Sequence, residues 1–132
     1  VSVRRRNPDK YYMVDTGVVG AMTPKNDAEK GWLLENLVFL HFRRGNNKIE
    51  YYINRNGGEV DFLVTNLDTK SRRLVQVAWD MEQLDTFKRE INAIRLAKEE
   101  IKVKNCCIVT WNSETVLEDG INVIPIWKFC LE

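Results

Sequence analysis

The sequence predicts a single α/β domain in which helices pack on a mixed β-sheet. The spacing of apolar residues changes several times between the helical period and the strand period, in the order α-β-β-β-α-β followed by one further strand. The length of 132 residues suits one hydrophobic core. Apolar residues make up 44% and charged residues 30%, as in ordinary globular proteins. Residues 1–9 are basic and polar and indicate a linker or arm, which leaves 10–132 as the domain.

The first helix is predicted from Asn26 and Asp27 to about Arg44. Both starting residues are good helix caps, and apolar residues then recur at helical spacing until the cluster 45–47, Gly-Asn-Asn, ends the helix. Before it, residues 11–14 form a short strand-like run that stops at a turn over 15–17.

Three strands follow, at 48–55, 59–65 and 73–78. The first two are joined by Asn56-Gly57-Gly58, a strong hairpin signal because these residues tolerate positive φ. A second amphipathic helix is predicted from 83 to 101. Strands at 105–111 and 121–126 come next, and the second of them leads to an apolar tail.

Composition and motifs exclude several classes of protein. The net charge of +1 gives no global argument for binding nucleic acid or membrane, no apolar run approaches ~20 residues, and no signal peptide is visible. We therefore expect a cytoplasmic protein without membrane contact. Three cysteines (Cys106, Cys107, Cys130) are expected to be buried free thiols, and the one histidine, His41, a helix surface residue without zinc-site spacing. The chain lacks a P-loop and an initiating Met, which indicates a fragment of a longer protein.

Two polar residues interrupt otherwise apolar strands. Asp61 lies within the second strand and Gln76 within the third. A carboxylate in a half-buried strand costs several kcal/mol unless a cation, metal or hydrogen-bond donors compensate it. Glu59 is two residues before Asp61 and is expected on the same face. Glu35, on the buried side of the first helix, is a further candidate.

The chain as a whole resembles a known family. The resemblance covers nearly its full length and is carried by the blocks 7–17, 34–38, 59–62 and 74–77, with Thr86, Arg89 and Glu90. These blocks resemble the uncharacterised C-terminal domain of bacterial and archaeal AAA-type ATPases. The element order, with Glu35, the Glu-Val-Asp of 59–61 and the Gln-Val-Ala of 76–78, also resembles the PD-(D/E)XK nucleases. The resemblance implies a restriction-endonuclease-like α-β-β-β-α-β core and an ATPase domain upstream.

In active members of that superfamily, the resemblance implies a magnesium site. Asp61 and an acid at the position of Gln76 would bind Mg²⁺, with Glu59 and the carbonyl of Val77 as further ligands, and Glu35 belongs to the same catalytic set. Magnesium prefers such hard oxygen ligands and activates water. A lysine at the position of Ala78 would assist the attacking water. This sequence departs from the pattern at Gln76 and Ala78, which indicates a degenerate site.

Other interpretations of these residues remain open. Lys88 or Arg89, or less readily Lys48 or Arg55, could supply the cation that is missing at Ala78 and so restore nuclease activity. Asp61 paired with an arginine such as Arg89, Gln76 as a core hydrogen-bonding residue and Glu35 as an ordinary helix residue are the structural alternatives.

Three functions are compatible with these alternatives. The first is a non-cleaving accessory domain of an ATPase that contacts nucleic acid or protein. The second is an active Mg²⁺-dependent DNA or RNA nuclease, and the third is an oligomerisation or partner-binding module. A phosphate backbone would be held by arginines on one rim; the candidates are Arg43, Arg44, Arg55, Arg72 and Arg73.

Overall fold

The structure is a computed structural model that describes Lys10, Tyr12 and residues 24–132. The predicted arm at 1–9 and the turn at 15–17 lie outside the described residues, as does most of the strand-like run at 11–14. Both predicted helices and the strands that follow them lie within residues 24–132.

The elements occur in the predicted order. They are α1 Asp27–Arg43, β1 Asn47–Ile53, β2 Glu59–Asn66, β3 Arg72–Val77, α2 Leu84–Ile101, β4 Asn105–Thr110, β5 Thr115–Val116, β6 Asn122–Pro125 and α3 Ile126–Phe129. The helix of 83–101 and the first four strands were predicted within one or two residues.

The strands form one six-stranded mixed sheet in the order β1-β2-β3-β4-β6-β5. The meander β1-β2-β3 is antiparallel, whereas β3-β4 and β4-β6 are parallel and β5 pairs antiparallel at the edge. Helix α2 makes the crossover between the parallel strands β3 and β4, as such a connection requires. The mixed α/β class is therefore confirmed. The finer restriction-endonuclease-like core stays a prediction.

The two faces of the sheet each carry a hydrophobic core. One cluster joins the sheet to α2 through Leu74, Ile94 and Ile108, all fully buried. The other joins it to α1 and α3 through Leu34, Val75 and Phe129. The carboxyl end of β3, beside α1 and the first turns of α2, lies between these two layers.

The helix caps follow the sequence signals. The Asn26 side chain accepts a hydrogen bond from the backbone N–H of Glu29 at 2.9 Å, and Asp27 adds negative charge to the first turn of α1. Helix α2 ends at Ile101, and its cap residue Lys102 has a left-handed φ of 57°. In the β1–β2 turn, Gly57 has φ of 82°, as the predicted hairpin demands.

The end of the chain corrects the sequence interpretation. The last strand was expected to reach Ile126 and lead to an apolar tail, but β6 ends at Pro125 and Ile126 begins the short helix α3. The ring of Pro125 fixes its φ at −70°, a value suited to the start of a helix. Proline also has no backbone N–H to donate to a neighbouring strand. The short strand β5 was also not predicted. Phe129 is fully buried, so this segment completes the core on the α1 face.

A β-bulge interrupts β2 at the predicted site. Leu63 pairs with Glu50 and Val60 with Tyr52, so two residues of β2, Asp61 and Phe62, lie opposite one residue of β1. Alternation breaks there, because Val60 packs in the α2 core and Phe62 in the α1 core. Glu59 and Asp61 nevertheless reach the same ammonium, that of Lys10, as expected of two residues on one face. Bulges commonly redirect a side chain beside functional sites.

Two further expectations need correction. Cys106 and Cys107 are buried free thiols as expected, but the free thiol Cys130 is exposed. His41 is half-buried instead of lying on the surface, with its ring 4.8 Å from that of Phe129. Burial lowers the pKa of His41. Within the described residues, no helix combines the length and the apolar character needed to cross a membrane.

Candidate functional site: a lysine among three carboxylates

Three predicted acidic residues meet at one ammonium group. The Nζ atom of Lys10 lies 2.8 Å from Oε1 of Glu35, 2.6 Å from Oε1 of Glu59 and 3.3 Å from Oδ1 of Asp61. Glu35 comes from α1, the other two acids from β2, and Lys10 from the segment before α1. The structure thus brings Glu35, Glu59 and Asp61 together, and it adds a cation that the sequence analysis did not assign to them.

The second oxygen of Asp61 is held by the sheet. Its Oδ2 accepts a hydrogen bond from the backbone N–H of Val77 at 2.9 Å, across the β2–β3 pair. Asp61 is therefore fixed at both oxygens, to Lys10 on one side and to β3 on the other. The compensating cation is Lys10, whereas Arg89, the arginine suggested from sequence, pairs with Glu90 at 3.6 Å.

The Gln76 side chain is fully buried and has every polar atom engaged. Its Oε1 accepts from the backbone N–H of Asp61 at 2.9 Å. Its Nε2 donates to the carbonyl oxygens of Glu59, at 2.9 Å, and Glu90, at 3.4 Å. The amide thereby clamps β2, β3 and α2 together. A carboxylate has no hydrogen to donate to these carbonyls, which gives a physical reason for glutamine at this position.

Tyr12 fastens the segment that carries Lys10. Its hydroxyl donates to Oε1 of Glu35 at 2.8 Å, and its ring stacks on Phe39 with centroids 4.3 Å apart and planes 10° apart. The Lys10 ammonium also lies 5.5 Å from the centroid of the Tyr51 ring. We call Lys10 and Tyr12 the strap, and Glu35, Glu59 and Asp61 the acidic cluster.

The electrostatics of the cluster are dominated by burial and mutual repulsion. Burial, and then repulsion from Glu35, raise the pKa of Asp61 to about 8, although Lys10 and the N–H of Val77 oppose the shift. Burial lowers the pKa of Lys10, but attraction from Asp61 and Glu35 outweighs it, so the net pKa of this lysine is raised. Burial and the neighbouring Glu35 raise the pKa of Tyr12. Acidic charge therefore exceeds what Lys10 neutralises.

A cleft of about 610 Å³ opens beside the acidic cluster, between the β1–β2 turn and α2. Glu59 and Asp61 line one wall, and Lys88, Arg89 and Glu90 line the other. Burial raises the pKa of Glu90, a further acid near the cluster that the sequence analysis named only within the family blocks.

No cation suggested from sequence contacts the acidic cluster within the described part of the chain. Lys48 pairs with Glu50 at 3.7 Å, and Arg55 with Glu100 at the same distance. Lys88 and Arg89 remain on the far wall of the cleft. Ala78 is buried in the α2 core and donates its backbone N–H to the carbonyl of Val109.

The geometry does not fit a bound metal ion as it stands. Among residues 10, 12 and 24–132, no group of three or more His, Cys, Asp or Glu side chains is arranged to hold one. The cluster oxygens surround the ammonium of Lys10 instead, and the carbonyl oxygen of Gln76 faces a backbone N–H. This arrangement supports no catalytic step through Mg²⁺.

The five arginines suggested for nucleic acid do not share one rim. Arg72 donates to the carbonyl of Ile101 on the α2 side at 2.8 Å. Its neighbour Arg73 points to the other face, where it pairs with Glu132 at 3.2 Å and lies over the Phe129 ring. Of the rest, Arg55 pairs with Glu100, and Arg43 and Arg44 are exposed at the end of α1.

A second cavity, of about 400 Å³, lies at the carboxyl end of β3. Trp79 lines it and stacks on Trp111 with centroids 4.9 Å apart and planes 7° apart. The Lys30 ammonium lies 5.6 Å from the Trp79 ring centroid. Trp111 and Trp127 follow the neighbouring strands β4 and β6 and are 42% and 57% exposed. This end of the sheet therefore presents aromatic surface to its surroundings.

Comparison with known proteins identifies a family and a relative. The family described as a domain of unknown function (DUF4143) matches residues 30–129. An uncharacterized protein of Methanocaldococcus jannaschii is 36% identical over 114 residues, which is 77% of this chain and 25% of that protein. This chain thus spans about a quarter of the relative's length. No solved structure matches.

Proposed function

Since this chain belongs to the DUF4143 family, whose description assigns no activity, we propose from its site that it is a non-cleaving accessory domain of a longer ATPase. One observation carries the proposal. The ammonium of Lys10 occupies the centre of the acidic cluster, where a nuclease of the resembled superfamily would place its metal. The role of the domain is then contact and regulation.

Two further observations support a domain without hydrolytic activity. Gln76 is committed to three backbone partners and supplies no charge. Ala78 supplies no cation for the attacking water, and its side chain is buried in the core. The share of the archaeal relative that this chain spans, 25%, is compatible with one domain attached to a larger motor.

Protein contact fits the described surface better than nucleic-acid contact. Arg55 and Arg73 have acidic partners, and the cleft beside the cluster carries Glu59, Asp61 and Glu90. These acids repel a phosphate backbone. Of the two cations that also line the cleft, Lys88 and Arg89, the arginine is paired with Glu90. The exposed aromatic residues Trp111 and Trp127 suit a protein partner, since aromatic side chains are enriched in protein interfaces. The partner of first choice is the ATPase part of the same polypeptide; a second copy of the chain is the alternative.

The test is a cleavage and binding assay on the intact protein. Single- and double-stranded DNA and RNA are incubated with Mg²⁺ or Mn²⁺, alongside Asp61→Asn. We expect no cleavage above the level of that variant, and no binding whose affinity falls steeply with salt. Cleavage by the wild type that Asp61→Asn abolishes would overturn the proposal.

A nuclease remains the second candidate, because Lys10 is itself a displaced cation 3.3 Å from Asp61. In that case Lys10 would take the role of the lysine missing at Ala78. The same assay separates the two functions through Lys10→Met. Metal-dependent cleavage that is lost in both Lys10→Met and Asp61→Asn would establish the second candidate, whereas absence of cleavage by the wild type supports the first.

A further inference from the structure

The cavity of about 400 Å³ at the carboxyl end of β3 is formed where three parts of the chain meet. Its walls come from the first turns of α1, from the segment that joins β3 to α2, and from the first turns of α2. The charged residues that line it are four acids and one base: Asp27, Asp80, Glu82, Glu90 and Lys30. Negative charge therefore exceeds positive charge in these walls, and the ligand that they attract is a cation.

Two of these carboxylates have no cationic partner within the part of the chain that the structure describes. They are Asp80 and Glu82, which are joined only to each other, since Oδ1 of Asp80 accepts the backbone N–H of Glu82 at 3.0 Å. The Glu82 side chain is exposed. Both carboxylates are therefore free to pair with a cation that a partner brings.

Trp79 adds an aromatic wall to the same cavity. Its indole stacks on Trp111 and lies 5.6 Å from the ammonium of Lys30. That separation is close to the outer limit of a cation–π contact, ~6 Å. Lys30 is also 4.0 Å from Asp27, which is the limit of an ion pair. Lys30 is thus a loosely held internal counterion beside a ring that suits a cation.

Arginine is the cationic side chain that matches these walls. Its planar guanidinium stacks on indole and donates several N–H groups in a fixed fork to carboxylates, whereas the ammonium of lysine is a point charge without a plane. Arginine is also enriched in protein interfaces. The exposed rings of Trp111 and Trp127, at the same end of the sheet, provide apolar surface for the residues around such an arginine.

We propose that this cavity is the docking pocket for an arginine side chain of the protein partner. The guanidinium lies against Trp79 and pairs with Asp80 and Glu82, and the side chain of Lys30, 37% exposed, moves towards solvent as it enters. The inference rests on the proposed function, which makes the domain a protein-contact module, and it supplies the chemistry of the partner.

Gly31 offers a way to close the pocket without changing its charge. It lies in the wall that α1 contributes, and a Cβ added to it would meet no atom within 4 Å. Gly31→Leu therefore fills part of the cavity, and leucine favours a helix more than glycine does. Ala28→Leu places the same side chain at an exposed position in the preceding turn, outside the cavity wall, and is the matched control.

A charge variant complements the steric one. Asp80→Asn with Glu82→Gln removes two charges from the pocket and keeps the side-chain oxygen that accepts the backbone N–H at position 82. Asp68→Asn with Glu118→Gln removes the same two charges from exposed turns elsewhere in the domain and serves as its control.

The test titrates the intact protein with a blocked pentapeptide that carries one arginine between glycines, and follows tryptophan emission and calorimetric heat. A second peptide carries citrulline in that place, which has the shape of arginine without its charge. We expect saturable binding of the arginine peptide and at least ~10-fold weaker binding of the citrulline peptide.

The variants should separate the pocket from the rest of the surface. Gly31→Leu and the double variant at Asp80 and Glu82 should each weaken binding of the arginine peptide ~10-fold or more, whereas both controls should bind like the wild type. Equal binding of the two peptides, or equal affinities of Gly31→Leu and Ala28→Leu, would overturn the pocket.

Cross-linking extends the test to a pocket that the rest of the polypeptide already fills. A benzophenone amino acid replaces Gln83, an exposed residue of the cavity wall, or Glu118 as the control, and the cross-linked segment is identified by mass spectrometry. We expect position 83 to capture a segment of the partner that contains an arginine, and Gly31→Leu to reduce the yield.

Three outcomes would count against the inference. They are capture of a segment without arginine, capture of a second copy of this chain instead of another partner segment, and failure of both peptide binding and cross-linking. These readouts concern arginine recognition alone. They are therefore distinct from cleavage by the wild type, which would overturn the proposed function.

Discussion

Two polar groups lie side by side in this domain and are stabilised in different ways. The Gln76 amide is uncharged, fully buried and satisfied by three backbone partners. The strap and the acidic cluster are charged, partly exposed and unequal in charge. The same site therefore contains an uncharged, fully buried part and a charged, partly exposed part. The glutamine is held by backbone groups of β2 and α2, whereas the lysine is held by side-chain contacts.

The largest expected effect comes from placing a charge on the buried side chain of Gln76. Gln76→Glu removes two donated hydrogen bonds and adds a buried carboxylate next to the acidic cluster. We expect a loss of about 3 kcal/mol in the free energy of unfolding, measured by urea denaturation. Gln83→Glu makes the same chemical change on an exposed side chain and should stay within ~0.5 kcal/mol of the wild type. Equal stabilities of the two variants would remove the distinction between the regions.

Removing the Lys10 cation should destabilise the domain less. Lys10→Met leaves three carboxylates without their common counterion, but the group is 21% exposed and water compensates part of the loss. We expect a decrease of ~1–2 kcal/mol in unfolding free energy, and little change in Lys10→Arg. Thermal denaturation at low and moderate salt provides the measurement, and a loss as large as that of Gln76→Glu would contradict the comparison.

The pH dependence tests the unequal charge of the cluster. The pKa of Asp61 is raised in the folded state from its ordinary 3.8 to about 8, so the folded protein binds this proton more tightly than the unfolded chain. The stability that this group contributes is complete below pH ~4 and is lost as the pH rises towards 8.

The side chain introduced in Asp61→Asn cannot ionise, so this variant does not lose stability in this way as the pH rises. The difference in melting temperature, variant minus wild type, should therefore increase from pH 5 to pH 8. Melting curves at pH 5, 6, 7 and 8 measure it, and a difference that stays constant over this range would show that Asp61 is ionised throughout.

The smallest expected effect belongs to the strap hydroxyl. Tyr12→Phe keeps the stacking on Phe39 and deletes only the hydrogen bond to Glu35. We expect ~0.5–1 kcal/mol of destabilisation by urea denaturation. Phe39→Leu, which keeps that bond and removes the aromatic stack, is the reciprocal change, and the two together divide the strap contact into its polar and apolar parts.

Much of the fold could be predicted from local patterns. The order of elements, the cap at Asn26 and the turn at Gly57 have short-range causes that the sequence displays. Strand β5 was not predicted because its two residues, Thr115 and Val116, form a strand only by pairing with β6. The α3 segment was not predicted because Phe129 becomes buried only against the completed sheet and α1. The bulge at Asp61 was not predicted because it depends on the register between β1 and β2, in which Tyr52 pairs with Val60.

The sequence analysis identified the three acids of the candidate site but not its cation, Lys10. Asp61 was identified because it interrupts an apolar strand, Glu59 because it stands two residues earlier, and Glu35 because it lies on the buried side of the first helix. Lys10 gave no such signal, since it stands in a basic polar segment and is joined to the acids only by the tertiary structure. The departure at Gln76 was visible in sequence, but its reason, donation to two carbonyls, required the neighbouring strand and α2.

The stacked indoles of Trp79 and Trp111 give the domain its own optical reporter. Two rings held 4.9 Å apart and nearly parallel share excitation energy, and one of them borders the cavity beside Val77 and Ala78. Their emission therefore depends on how the ends of β3 and β4 pack. Docking of a protein at this end of the sheet can be followed by fluorescence without an added dye, with Trp111→Phe separating this pair from the remaining tryptophans.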